Sequence, residues 1–321
     1  MPVTGYNPSA GFVYGIRIKS IQEMGLDTGT LHLVSSTGSM QRMVLSLSES
    51  ALDGSFSLVA EHLKLPEIQF FGYGNNGDAD STADFSGEAQ RLRLLYNHRI
   101  ASPFSLKLGI ETRHSTTYNR EESALWSTLP GEQYNSVWTT GPVAGVRLES
   151  ASSPAGYIKL DADWQSGNDM TYSTITGQTA LFCPIPRINT VFACRAMLKR
   201  HIGTETTPFM WQSSLGGSDD LRGYKRNRFS GDWLMLNNIE LRHSIFRADS
   251  GSSSILHGVG ITLFGDAGQV SDSFDTLRWN RYHLSGGVGI RIHLSGDRTV
   301  RLDIAKSPEG MGGCVSFGEM F

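Results

Sequence analysis

Apolar and polar positions alternate one by one along much of this chain. In "FSLKLGIETR", Phe104, Leu106, Leu108 and Ile110 fall on one face, and Lys107, Gly109, Glu111 and Arg113 on the other. In "GYIKLDADW", Ile158, Leu160, Ala162 and Trp164 oppose Tyr157, Lys159, Asp161 and Asp163. In "GVGIRIHL", Val288, Ile290, Ile292 and Leu294 oppose Gly289, Arg291 and His293. In "TVRLDIA", Val300, Leu302 and Ile304 oppose Arg301 and Asp303, and near the start Phe12, Tyr14, Ile16 and Ile18 oppose Gly15, Arg17 and Lys19. Successive side chains of a strand point to opposite faces, so this period predicts strands. A helix of the same composition would scatter these charges around its whole surface.

A soluble sandwich also alternates, but here the polar face carries long charged residues and glycine on strand after strand. The connections come in two lengths. Short turns lie at 101–103, 152–156, 184–187 and 295–297, and long polar loops at about 74–86, 117–135, 203–232 and 268–279. Short turns at one end, long loops at the other and a wall apolar outside and polar inside predict an all-β fold, a transmembrane antiparallel β-barrel. In lipid only a closed barrel leaves no unpaired strand edge. Residues 1–321 read as one barrel domain, with a long loop at about 203–232.

Sixteen strands are predicted, at 9–22, 29–37, 39–49, 53–63, 67–73, 87–99, 103–116, 136–151, 155–166, 170–183, 188–203, 233–246, 253–267, 282–294, 298–306 and 312–321, with fourteen as the alternative. Phe321 shares its alternation with Val315 and Phe317, which places its ring in the interfacial girdle. A strand from Ala10 to Gln22 is expected to close the barrel against Gly312 to Phe321. The glycines at 312, 313 and 318 weaken pairing and packing there, so the seam is a candidate site at Gly312, Gly313 and Phe321.

Composition narrows the class. Charged residues are 18%, below the roughly 25% of a soluble domain. No apolar run is long enough for a transmembrane helix. The net charge of −3 does not suggest a nucleic-acid partner. The N-terminus has no signal-peptide pattern, so either targeting has been removed or a larger protein has been cut before it. Cys183, Cys194 and Cys314 form no metal-binding spacing; Cys183 and Cys194 flank a turn and are either bridged or free. The nine histidines make no metal motif, and "DADSTAD" (78–84) reads as a solvated acidic loop rather than a cation site. No nucleophile elbow or phosphate loop is present, so no enzyme, cofactor or metal is assigned. "GGVGIRI" (286–292) lies inside a strand, where inward glycines make room for the inserted loop. Several of Trp126, Trp138, Trp164, Trp211, Trp233 and Trp279 are girdle candidates.

The loop "SSLGGSDDLRGYKRNRFSGDW" carries the most specific pattern. Gly216 and Gly217 lead to Arg222-Gly223-Tyr224, and the next strand, "NNIELR", holds Glu240 on the parity of Asn238 and Arg242. The strand after it, "LFGDAG", holds Asp266 on the parity of Gly258, Gly260 and Thr262, with Phe264 before it and Gly268 after it. Both acids face the lumen on neighbouring strands, and a forked guanidinium could bridge them. Lys225, Arg226 and Arg228 add positive charge nearby. In a partly wet lumen such a pair would be screened, so its loss is expected to loosen the loop modestly.

This arrangement, with the "GVRLESASSPAG" turn upstream, resembles the BamA/TamA-type outer-membrane barrel superfamily, the bacterial surface antigen family. "FFGYGN" and "LRGYKRNRF" are most similar to its Bacteroidota branch. The resemblance implies that the loop at about 203–232 is extracellular and folded into the lumen, with a latch of Arg222, Gly223, Tyr224, Glu240 and Asp266, a place in the bacterial outer membrane among lipid and lipopolysaccharide, and work in outer-membrane protein assembly or transport with other outer-membrane or periplasmic proteins. No POTRA domain is written in this chain, which leaves client handling open. A plugged barrel that anchors partner proteins or a periplasmic enzyme domain is the alternative.

Overall fold

The computed structural model describes residues 2–7, 11–20, 28–51, 53–129, 136–150, 152–167, 170–203, 208–248, 256–295 and 298–321. The first strands are β1 (Pro2–Asn7), β2 (Gly11–Ser20), β3 (Thr28–Ser36), β4 (Gln41–Ala51), β5 (Gly54–Phe70) and β6 (Ala83–Ala101). Next come β7 (Phe104–Tyr118), β8 (Ser136–Ser150), β9 (Ala155–Gly167), β10 (Met170–Ile185) and β11 (Thr190–Gly203). The long loop then contains two short strands, β12 (Ser214–Leu215) and β13 (Phe229–Ser230). The wall resumes with β14 (Trp233–Arg247), β15 (Leu256–Ser271), β16 (His283–Leu294), β17 (Arg298–Ser307) and β18 (Gly310–Phe317). Wall strands pair antiparallel with their chain neighbours in one sheet, and β11 pairs with β14 across the loop. The sheet curls round until β1 meets β18, Tyr6 opposite Val315.

The period of two sets the faces. Leu108, Ile110, Ile158, Leu160, Val288, Ile290 and Ile304 are exposed, while Glu111, Arg113, Glu240, Arg291, Arg301 and Asp303 are buried. That inverts the usual partition, in which ionised residues are almost never fully buried. An apolar outer belt over a charged interior is the arrangement that lipid rather than water stabilises.

Four expectations from the sequence are corrected. The predicted strands 53–63 and 67–73 are one strand, β5, whose register shifts between Leu65 and Ile68. Pro66 sits at that irregularity; proline lacks the N–H for the ladder and is tolerated at such a break. Residues Pro2–Asn7 form a strand that the pattern did not predict, so β2 pairs with β1 and β3 instead of closing the sheet. Gly312 and Gly313 do lie on β18, opposite Ala305 and Ile304, but β1 is the strand they share the seam with. Phe321 is off the wall: β18 ends at Phe317, Gly318 takes φ +85°, and the chain turns inward. The cysteines are free, with Cys183 opposite Phe192 and Cys194 opposite Leu181.

Candidate functional site: a loop held in the lumen

The loop between β11 and β14 packs on the inner wall through an apolar core. Leu215, Leu221, Tyr224 and Phe229 of the loop meet Leu234 and Leu236 of β14 and Val270 of β15, all buried. Leu234 and Leu236 share the lumen parity of Glu240. Apolar residues on the polar face were the signal, unused in the sequence reading, that something covers that wall. β12 and β13 pair Leu215 with Phe229 and tie the loop's two arms together. Between them Gly216 and Gly217 take φ of +115° and +111°. A Cβ on Gly216 would lie 2.1 Å from the Lys225 carbonyl oxygen, so only glycine lets the arms approach here.

Arg222 is at the tip. Its guanidinium donates from Nε and Nη2 to Asp266 at 2.8 and 2.7 Å, and from Nη1 to Glu240 at 2.7 Å. Its backbone N–H also donates to Asp266, at 3.2 Å. A third carboxylate, Asp303 of β17, accepts from Nη1 at 3.4 Å. The Phe264 ring lies against the guanidinium, 3.4 Å from centroid to Cζ, in cation–π contact. The side chain of Arg222 is 2% exposed and those of Glu240 and Asp266 are 0%. The expected solvent screening is therefore absent at these three side chains.

Neighbouring contacts fix the rest of the tip. Gly223 accepts from Ser307 Oγ at 2.8 Å, and the Tyr224 hydroxyl donates to the Leu284 carbonyl at 3.1 Å. Asp219 pairs with Arg301 at 2.9 Å. Asn238 donates to the Asp220 carbonyl and to Asp266, at 2.7 and 2.8 Å. Burial pushes the Asp220 carboxyl up to about 7, against the lowering effect of the Leu221 and Gly216 backbone N–H groups. Arg228 reaches Glu309 at 2.8 Å, in the turn between β17 and β18.

The acids have further partners that sequence reasoning did not assign. Glu240 accepts from Arg242 at 2.7 Å, and Asp303 pairs with Arg291 and Arg301 at 2.6 and 3.2 Å. The inward parity of Arg291, Arg301 and Asp303 was legible; their meeting under the loop tip depends on the register of β16 and β17. The glycines of "GGVGIRI" make room for these groups and for Phe264 rather than for the loop directly. A Cβ on Gly287 would lie 2.6 Å from Phe264 Cζ, and one on Gly289 would lie 2.0 Å from Asp303 Oδ1. The inturned residues 318–321 complete the network. Glu319 is 3.5 Å from Arg291, and the Phe321 ring lies 5.2 and 5.0 Å from the Arg195 and Arg242 guanidiniums.

Among the girdle candidates, Trp138, Trp164 and Trp279 are exposed. Trp211 instead contacts Arg91 and Arg113, and Trp126 packs on Phe70 and Phe85 under the loops.

The site is a bridge of charge. A guanidinium fork joins three strands through a loop that crosses the lumen of an antiparallel barrel. The Omp85 superfamily domain matches residues 55–309, and the chain belongs to that superfamily. Among solved structures it is similar to BamA from Haemophilus ducreyi lacking POTRA domains 1–3, at 14% identity and a TM-score of 0.69, covering 98% of this chain and 69% of that one. CdiB from Escherichia coli matches at 11% identity and a TM-score of 0.75, covering 98% and 62%. CdiB from Acinetobacter baumannii matches at 11% identity and a TM-score of 0.65, covering 98% and 58%. At these identities the likeness is one of fold, and the chain spans less than two thirds of each CdiB chain. Among curated protein sequences, none matches the chain.

Proposed function

We propose that the chain forms a closed, sixteen-stranded barrel of the bacterial outer membrane that works in the assembly or transport of outer-membrane proteins. Its long loop is a lumen plug, and Arg222, Gly223, Tyr224, Glu240 and Asp266 are the latch that holds it. The apolar belt supports a setting of outer-membrane lipid and lipopolysaccharide. Superfamily membership supports the class of work and a role alongside other outer-membrane or periplasmic proteins.

The seam carries the reading. β1 and β18 close the sheet at Tyr6 opposite Val315, while β17 pairs with β18 from Val300–Phe317 to Ser307–Gly310. When this seam parts, the freed edge of β18 is a template for an incoming strand, which is how a client would be received.

A disulfide engineered by Tyr6→Cys and Val315→Cys, in a background without the three native cysteines, tests this. We expect wild-type proteoliposomes to speed the folding of an added, unfolded outer-membrane barrel protein. The oxidised seam should abolish that gain, and reductant should restore it. Complete crosslinking with an unchanged rate would exclude an opening seam.

The filled lumen favours a second reading, a plugged barrel that anchors a partner protein or a periplasmic enzyme domain. That reading expects no folding gain from the wild type and a bound protein that co-purifies from native membrane.

A further inference from the structure

Away from the latch, the lumen holds a cavity of about 390 Å³ lined by side chains of β6, β7, β9, β10 and β11 and by Met210 and Trp211. Its charges do not balance. Glu111 is taken by Arg113 and by Arg91 at 3.2 Å, with Arg93 farther off at 3.9 Å. Asp163 is held by Arg113 at 3.0 Å, and Asp161 by Lys107. Lys199 lines the same cavity and forms no ion pair or hydrogen bond among the described residues. Five cations therefore face three carboxylates, an excess of two positive charges.

Two more polar atoms wait there. Arg93 Nε has no hydrogen-bond partner, and neither has Nε2 of His201. His201 is 6% exposed, and its Nδ1 is bound to Thr174 Oγ1 at 3.1 Å. In the tautomer whose Nδ1 accepts from the threonine hydroxyl, Nε2 carries the proton and can donate. The Trp211 ring lies 4.8 Å from the Arg91 guanidinium and 5.3 Å from that of Arg113, which fixes those two in place. Lys199 and His201 are the groups left over, and Arg93 is held only by its long pair with Glu111. Lys199 is partly buried, an ammonium in such a site is stabilised by a charge partner, and an anion of two charges matches the excess.

We propose that this cavity binds a phosphate dianion, with Lys199 and Arg93 as its charge partners and His201 Nε2 as a hydrogen-bond donor. The volume exceeds that of phosphate itself, so an organic phosphate monoester fits as well as the inorganic ion. The site is separate from the latch and the seam and rests on neither.

The test is titration calorimetry on the full chain in a phosphate-free maltoside detergent at fixed ionic strength. Inorganic phosphate and glycerol 3-phosphate are the two probes, and their relative affinities tell the free ion from the monoester. Binding of either is expected, and Lys199→Gln should weaken it at least about tenfold, the loss of one charge-assisted contact. Lys64→Gln, which removes a partly exposed pair with Glu88, should leave it unchanged. Melting provides a second readout. Lys199→Met should melt no lower than wild type without phosphate, because it removes an unpaired charge, and phosphate should no longer raise its Tm. No binding beyond that of chloride, an unchanged affinity in Lys199→Gln, or a lower phosphate-free Tm in Lys199→Met would each overturn the proposal.

Discussion

Replacing Arg222 with alanine is expected to release the loop from the lumen. The latch is fully buried, and removing one side of a buried ion pair costs about 3–5 kcal/mol. The cost falls unevenly across the acids. Glu240 keeps Arg242, and Asp303 keeps Arg291 and Arg301. Asp266 loses both of its bonds from the Arg222 side chain and, among the described residues, keeps only the backbone N–H of position 222 and the amide of Asn238. Arg222→Ala should therefore raise the protease sensitivity of residues 213–232 and raise single-channel conductance. The apolar core of the loop around Leu221 and Phe229 still favours docking, so the loop should exchange rather than unfold the barrel. Lysine should rescue poorly, because a point charge cannot fork across two carboxylates. Asp266→Asn in the alanine variant removes the stranded charge and should recover part of the lost stability. Equal conductance and equal protease sensitivity in wild type and Arg222→Ala would refute the latch.

Leu160→Arg is expected to impair insertion into the membrane where Asp161→Asn does not. Leu160 is 48% exposed on the outer face, near the middle of β9. A cation facing lipid near the midplane costs roughly 2–4 kcal/mol. Asp161 is one residue along and faces the lumen, where it pairs with Lys107. Its side chain is 31% exposed, so losing that charge should cost less than losing a buried one. Folded yield in lipid vesicles, read from heat-modified mobility, separates the two. Similar yields would mean that the outer face does not meet lipid.

The faces of the wall were legible because a strand's side-chain period is two whatever surrounds it. Ile158 to Trp164 and Val300 to Ile304 needed no tertiary information. The parity of Glu240 and Asp266, and the glycines before Arg222, were legible for the same reason. Strand ends were less so: nothing local in "PVTGYN" separates a short wall strand from a tail, and the predicted strands 53–63 and 67–73 are joined by a register shift at Leu65–Ile68 that only the pairing with β6 shows. The position of Phe321 was misread because alternation continues past Phe317, and only the turn at Gly318 shows that the chain leaves the wall. The third carboxylate of the latch and the cations around it come from β16 and β17, far along the chain from Arg222. Period fixes which way a side chain points; which side chains it then meets depends on register between strands. The excess charge around Lys199 is of the same kind, since His201, Arg93 and Trp211 meet only once β6 to β11 have curved round a common lumen.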